Sequence, residues 1–146
     1  MEKLIPWTHK VQYYETDQMQ VVHHSNYIRW FEEARVSMLE QVEAGYDRFE
    51  AEGVLSPVLT VESEYRQMVR FGETVVIHGA VESFNGIRLV IRYQVIRKED
   101  GVLCCCGKTR HCFLDREGRL ISLKRSFPHF YEAIQRLPRD IQEKER

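Results

Sequence analysis

The 146 residues hold no apolar run near the ~20 that a bilayer-spanning helix needs. The opening stretch, MEKLIPWTHK, lacks the apolar core of a secretion signal. These absences argue against a membrane span and for a cytoplasmic protein. Charge of one sign is missing too. The 21 basic and 22 acidic residues leave a net charge of −1, so no overall field gathers nucleic acid or an anionic membrane. A local basic patch can still hold an anionic ligand. No C-x-x-C pair occurs. Of four cysteines, Cys104, Cys105 and Cys106 are consecutive, which suits neither a disulfide framework nor a paired-cysteine metal site. They read as reduced, buried, small apolar residues. On a strand Cys104 and Cys106 face one side and Cys105 the other. The sequence has no repeat, no low-complexity segment and no Pro/Gly/Ser-rich linker, so residues 1–146 read as one domain. Only RDIQEKER, 139–146, has the look of a solvated tail.

What is present is a change of period. HKVQYYE, 9–15, reads as a strand with Val11 and Tyr13 on one face. From Tyr27 the spacing turns helical: Tyr27, Trp30, Phe31, Ala34, Met38, Gln41, Val42 and Gly45 form a stripe that is apolar or small apart from Gln41. Ser25 or Asn26 can cap its start and Gly45 can end it, giving about 18 residues and ~27 Å of helix. So wide and aromatic a stripe calls for a sheet wrapped around it. After residue 54 the pattern alternates as far as about residue 123, beginning with Leu59, Val61, Ser63, Tyr65 and Val69 on one face. Asn85-Gly86 and Asp100-Gly101 predict tight type I′ hairpins. PHFYEAIQRL, 128–137, predicts a last helix. One helix cannot cover both faces and both edges of five strands, so a homodimer or larger assembly is expected.

The short run between strand and helix carries the chemistry. Tyr14, Thr16, Asp17, Val21, Val22, His24, Asn26, Tyr27, Phe31, Glu32, Ala34 and Arg35 together resemble the signature of the 4-hydroxybenzoyl-CoA thioesterase family of hotdog-fold acyl-CoA thioesterases. The resemblance is dense over these residues, and the order of elements agrees over nearly the whole chain. It implies an α+β hotdog fold, an antiparallel five-stranded sheet wrapped around a long central helix. It also implies hydrolysis of an acyl-CoA or acyl-carrier thioester, with coenzyme A as part of the substrate and no separate cofactor. Two positions depart from the signature. Gln20 stands where the family has glycine and can impose a different loop conformation, since only glycine takes positive φ freely. His23 stands where the family has an aromatic ring.

Such chemistry needs a nucleophile or base, and donors for the oxyanion of a tetrahedral intermediate. Asp17 suits the first role, either by attacking the acyl carbon or by deprotonating water. The free N–H groups at the helix start suit the second, and the resemblance puts that donor at the backbone of His24. The His24 side chain can orient Asp17 or the thioester, and Asn26 can cap the helix or hold the loop. Catalytic candidates are therefore Asp17, His24 and Asn26. Substrate-binding candidates are His23, Tyr27, Val61, Arg66 and Arg88, with Arg70, Arg92, Lys108 and Arg110 as further cations for the coenzyme A phosphates. Adjacent histidines are expected to point apart, so no metal site is assigned. His9, His78, His111 and His129 read as structural, and Glu32 and Glu33 fall off the buried stripe. A non-catalytic acyl-CoA or acyl-carrier-protein binding module is the alternative.

Overall fold

The computed structural model describes residues 3–141. Five strands form one antiparallel sheet in the order β1-β3-β4-β5-β2: β1 Trp7–Lys10, β2 Val58–Tyr65, β3 Thr74–Phe84, β4 Arg88–Arg97 and β5 Leu103–Cys112. Helix α1, Ser25–Gln41, lies along one face, and three short helices follow it: α2 Tyr46–Ala51, α3 Leu123–Ser126 and α4 Pro128–Gln135. This is the hotdog arrangement.

Period and register explain the seating of α1. Tyr27, Trp30, Phe31, Ala34, Met38 and Leu39 are buried on its inner side. They meet Val75 and Ile77 of β3, Leu89, Ile91, Tyr93 and Val95 of β4, and Cys105 of β5, which alternate onto the same face. The Phe31 ring stacks on Tyr93 at 4.7 Å between centroids. Two glycines let the helix come this close. A Cβ on Gly107 would strike the Phe31 ring, and one on Gly79 would strike the Met38 sulfur.

Several expectations are corrected here. The first strand ends at Lys10, and residues 13–15 form a single 3-10 turn, so Val11 is buried while Tyr13 is exposed. Helix α1 stops at Gln41, because Glu43 takes the left-handed conformation (φ 62°) that ends helices. Gly45 instead precedes α2, an element the sequence reading missed. Neither hairpin turn is type I′. Gly86 and Gly101 have positive φ, but Asn85 and Asp100 do not. Asn85 Oδ1 accepts from the N–H groups of Ile87 and Arg88, and Asp100 Oδ1 from that of Val102, which stabilises longer loops. The first residue of the supposed tail is tied down, since Arg92 donates to the Arg139 carbonyl at 2.8 Å; just before it Val81 N donates to the Pro138 carbonyl at 2.8 Å. Residues 142–146 lie outside the described residues.

The two ends of the sheet differ. At the end carrying the 85–87 loop, Phe49, Phe84, Phe113, Phe130 and Tyr131 pack into one cluster of edge-on and tilted rings. At the other end, where α1 begins, Tyr13, Tyr14, Met19, Tyr65, Met68 and Phe71 are exposed.

Candidate active site

Residues 16–22 form a small hairpin. Thr16 bridges Val22, Asp17 N donates to the Val21 carbonyl, and Gln20 N donates to the Asp17 carbonyl. Gln20 takes the left-handed conformation at φ 66°, which glycine adopts freely and other residues rarely. The hairpin is held to the connection between β2 and β3, where Val22 N donates to the Val69 carbonyl at 2.8 Å.

Asp17 is half-buried in the turn. Its Oδ1 accepts from Met19 N at 2.8 Å, an Asx turn that fixes the carboxylate. Its Oδ2 has no partner among the described residues. The His24 backbone N–H likewise has no acceptor among them. A fixed carboxylate with one free oxygen and a free N–H at a helix start thus share this end of the molecule.

Glu15, which the sequence reading passed over, organises the site. Its buried carboxylate accepts from Gln12 N at 2.8 Å, Trp30 Nε1 at 2.8 Å and His9 Nε2 at 2.7 Å. Its carbonyl accepts from His23 N at 2.8 Å and Asn26 Nδ2 at 2.8 Å. Burial pushes this carboxyl up, but the Gln12, His9 and Trp30 hydrogen bonds outweigh it and hold the group below its usual value. His9 also faces Glu33, which accepts from Trp7 Nε1 at 2.7 Å. The available signal was the Gln12-x-x-Glu15 spacing of a capping turn, masked by a plausible strand pattern.

The predicted residues separate. Asn26 is buried and sits inside α1 as a loop anchor, its side chain also 3.4 Å from the His23 carbonyl; it is not a cap. Nor is Ser25, whose own N–H is received by His23 Nδ1 at 3.2 Å. The His23 and His24 rings lie 4.1 Å apart, tilted by 31°, rather than pointing apart. His24 already has helical dihedrals, which turn successive side chains by about 100° instead of the roughly 180° of a strand. Tyr27 is a core residue packed against Trp30 and Tyr65, and burial pushes its phenol up. Val61 and Tyr65 pair with Thr109 and Cys105 on the helix side of β2, yet stay part-exposed on this edge strand. The Tyr65 hydroxyl donates to the His24 carbonyl at 3.2 Å.

The cations divide by end. Arg66 is near the site and pairs with Glu64 at 2.9 Å. Arg88 lies at the opposite end of β4, seven residues before the Val95 that aligns with Tyr65 through Cys105, or roughly 23 Å away, so this chain does not bring it to Asp17. Arg92, Lys108 and Arg110 are paired with Asp140, Glu82 and Glu62. Arg70, beside the hairpin anchor Val69, has no ion pair among the described residues. Among those residues no group of His, Cys, Asp and Glu could hold a metal ion. No helix among the described residues is long and apolar enough to cross a membrane.

A five-stranded sheet around a helix whose N-terminus meets a carboxylate-bearing turn defines a hotdog protein with its candidate site at that helix start. The family described as the thioesterase-like superfamily matches residues 11–144, and the chain belongs to it. YneP of Bacillus subtilis (strain 168), provisionally named an acyl-CoA thioesterase, is 33% identical over 128 residues, covering 87% of this chain and 92% of YneP. The acyl-CoA thioester hydrolase YbgC of Escherichia coli O6:H1 is 29% identical over 100 residues, covering 68% of this chain and 75% of its own. The DHNA-CoA thioesterase of Staphylococcus aureus matches with a TM-score of 0.84 and 30% identity, over 89% of this chain and 87% of that one.

Proposed function

We propose that this protein is a cytoplasmic acyl-CoA thioesterase of the 4-hydroxybenzoyl-CoA thioesterase branch, hydrolysing an acyl-CoA or acyl-carrier thioester to the free acid and thiol. The observation that carries the reading is the pairing, at one end of the fold, of Asp17 with a free Oδ2 and His24 with a free backbone N–H. The names of YbgC and the Staphylococcus aureus enzyme support the substrate class.

The thioester carbonyl oxygen accepts from His24 N–H, where the helix dipole favours developing negative charge. Asp17 Oδ2 attacks the acyl carbon, or takes a proton from a water that does so, while Met19 N–H holds Oδ1 in place. The C–S bond breaks and coenzyme A leaves as a thiolate, which takes up a proton, from the Asp17 carboxyl in the general-base route or from solvent in the nucleophilic one. In the nucleophilic route water then cleaves the acyl–Asp17 anhydride, releasing the free acid and restoring the carboxylate. Asn26 and Glu15 keep the turn and the helix start in register. The exposed apolar edge of β2, with Leu59, Val61 and Tyr65, is the surface a second copy would cover in a homodimer or homotetramer, and the acyl group would lie there. Arg66 and Arg70 are the cations best placed for coenzyme A phosphates, ahead of Arg88.

The test is release of free thiol from a panel of aliphatic and aromatic acyl-CoAs and acyl-carrier thioesters, wild type beside Asp17→Asn. Hydrolysis that collapses in the variant supports the reading. Tight binding with no thiol released would instead make the chain a binding module, and equal rates would remove Asp17 from the chemistry.

A further inference from the structure

At the start of α1 an imidazole does what a hydroxyl or carboxylate usually does. A helix leaves its first N–H groups without intrahelical acceptors, and Ser, Thr, Asp or Asn side chains commonly receive them. Here the Ser25 N–H donates to His23 Nδ1 at 3.2 Å, and the Ser25 hydroxyl lies 2.8 Å from the same nitrogen. A backbone N–H can only donate, so Nδ1 is the acceptor and the ring proton sits on Nε2. His23 is itself pinned, its own N–H donating to the Glu15 carbonyl at 2.8 Å. The residue between the pinned imidazole and the capped Ser25 is His24, whose N–H is free.

We propose that neutral His23 is the positioning residue of this site: its Nδ1 caps α1, fixes where the His24 N–H points, and makes that geometry dependent on the protonation of His23. Protonation removes the acceptor and adds a positive charge beside the positive end of the helix dipole, so both changes oppose the cap. Of the titratable groups nearby, the His24 ring lies against it; Glu15, bonded to it through the carbonyl, has its carboxylate occupied by His9 and Trp30; Tyr65 of β2 is bonded to the His24 carbonyl; and Asp17 is on the preceding hairpin.

The catalytic consequence rests on the thioesterase reading, whereas the cap does not, and the experiment separates them. Imidazole ¹⁵N spectra of the wild-type protein should show the Nε2–H form of neutral His23, and the Ser25 and His24 amide resonances should move with the His23 titration. A neutral Nδ1–H form, or amides indifferent to that titration, overturns the proposal whether or not any thioester is cleaved. In thioester assays His23→Phe should lower kcat about five- to tenfold with KM little changed, the scale of a lost cap. His23→Asn offers a non-titrating acceptor, so it should lose less rate and should lack the wild-type decline as pH falls through the His23 titration. An acid decline identical in wild type and His23→Asn would refute the catalytic role.

Discussion

The two ends of the sheet are built on opposite plans. The end with the 85–87 loop is closed by the chain's own rings, Phe49 against Phe130 at 4.7 Å and Phe84 against Tyr131 at 5.3 Å. The end where α1 begins leaves Tyr13, Tyr14, Met19, Met68 and Phe71 uncovered around polar groups that are tightly bonded underneath. Rings of the chain itself cover much of one end, although Ile87 and Leu120 there still reach solvent, while the other end keeps free hydrogen-bonding capacity. The ring cluster and the candidate site thus lie at opposite ends of the sheet.

This contrast can be broken in order of effect. Asp17→Asn at the open end should lower thioester hydrolysis by about 10²–10⁴ while barely moving Tm; a large loss of Tm would mean the two ends are not separable. Phe130→Ala at the closed end should do the reverse, costing about 3–5 kcal/mol in denaturant unfolding with little change in the activity of the molecules still folded.

Buried titrating groups sharpen the contrast through pH. At the closed end, burial and the Arg35 charge push His111 down to about 4. The unfolded chain takes up that proton near 6.5 and the folded chain does not, so stability is complete above 6.5 and falls as pH drops toward about 4. His111→Leu should therefore lose roughly 2–3 kcal/mol less than wild type between about pH 7 and pH 4.5. At the open end Glu15 is depressed below its ordinary 4.5, so its contribution is complete above 4.5 and is lost only as pH falls through the lower folded value. Glu15→Gln should be less stable than wild type at neutral pH by about 1–3 kcal/mol, a gap that narrows only in stronger acid. Gln20→Gly should be the smallest change, a gain of up to about 1 kcal/mol from relief of a left-handed non-glycine residue, read in urea midpoints.

The architecture was legible because each element has its own period: the Tyr27–Met38 stripe, the alternating strands and the paired turn signals all point to a helix within an antiparallel sheet. Asp17 was visible only through its motif, since an isolated aspartate ahead of a helix is commonly a turn residue, and it does close an Asx turn. Glu15 and the His23 cap were not legible. Their roles depend on which nitrogens and carbonyls tertiary packing brings within 3 Å or so, and hydrophobic spacing carries no trace of that. Arg35 was visible only as part of the motif, and its surroundings were not: it is buried with Tyr46 Oη at 2.7 Å and Tyr93 Oη at 3.2 Å as acceptors. Helix ends were misplaced where a residue other than glycine, Glu43, took the terminating conformation.

The seat of Phe31 on Gly107 has a consequence for how this lineage can drift. Ring and bare backbone are the two halves of one contact, so neither site can change alone without a clash or a void. Descendants should alter both within a short interval or neither, and a cross between two lineages that exchanged one partner without the other should yield less stable offspring.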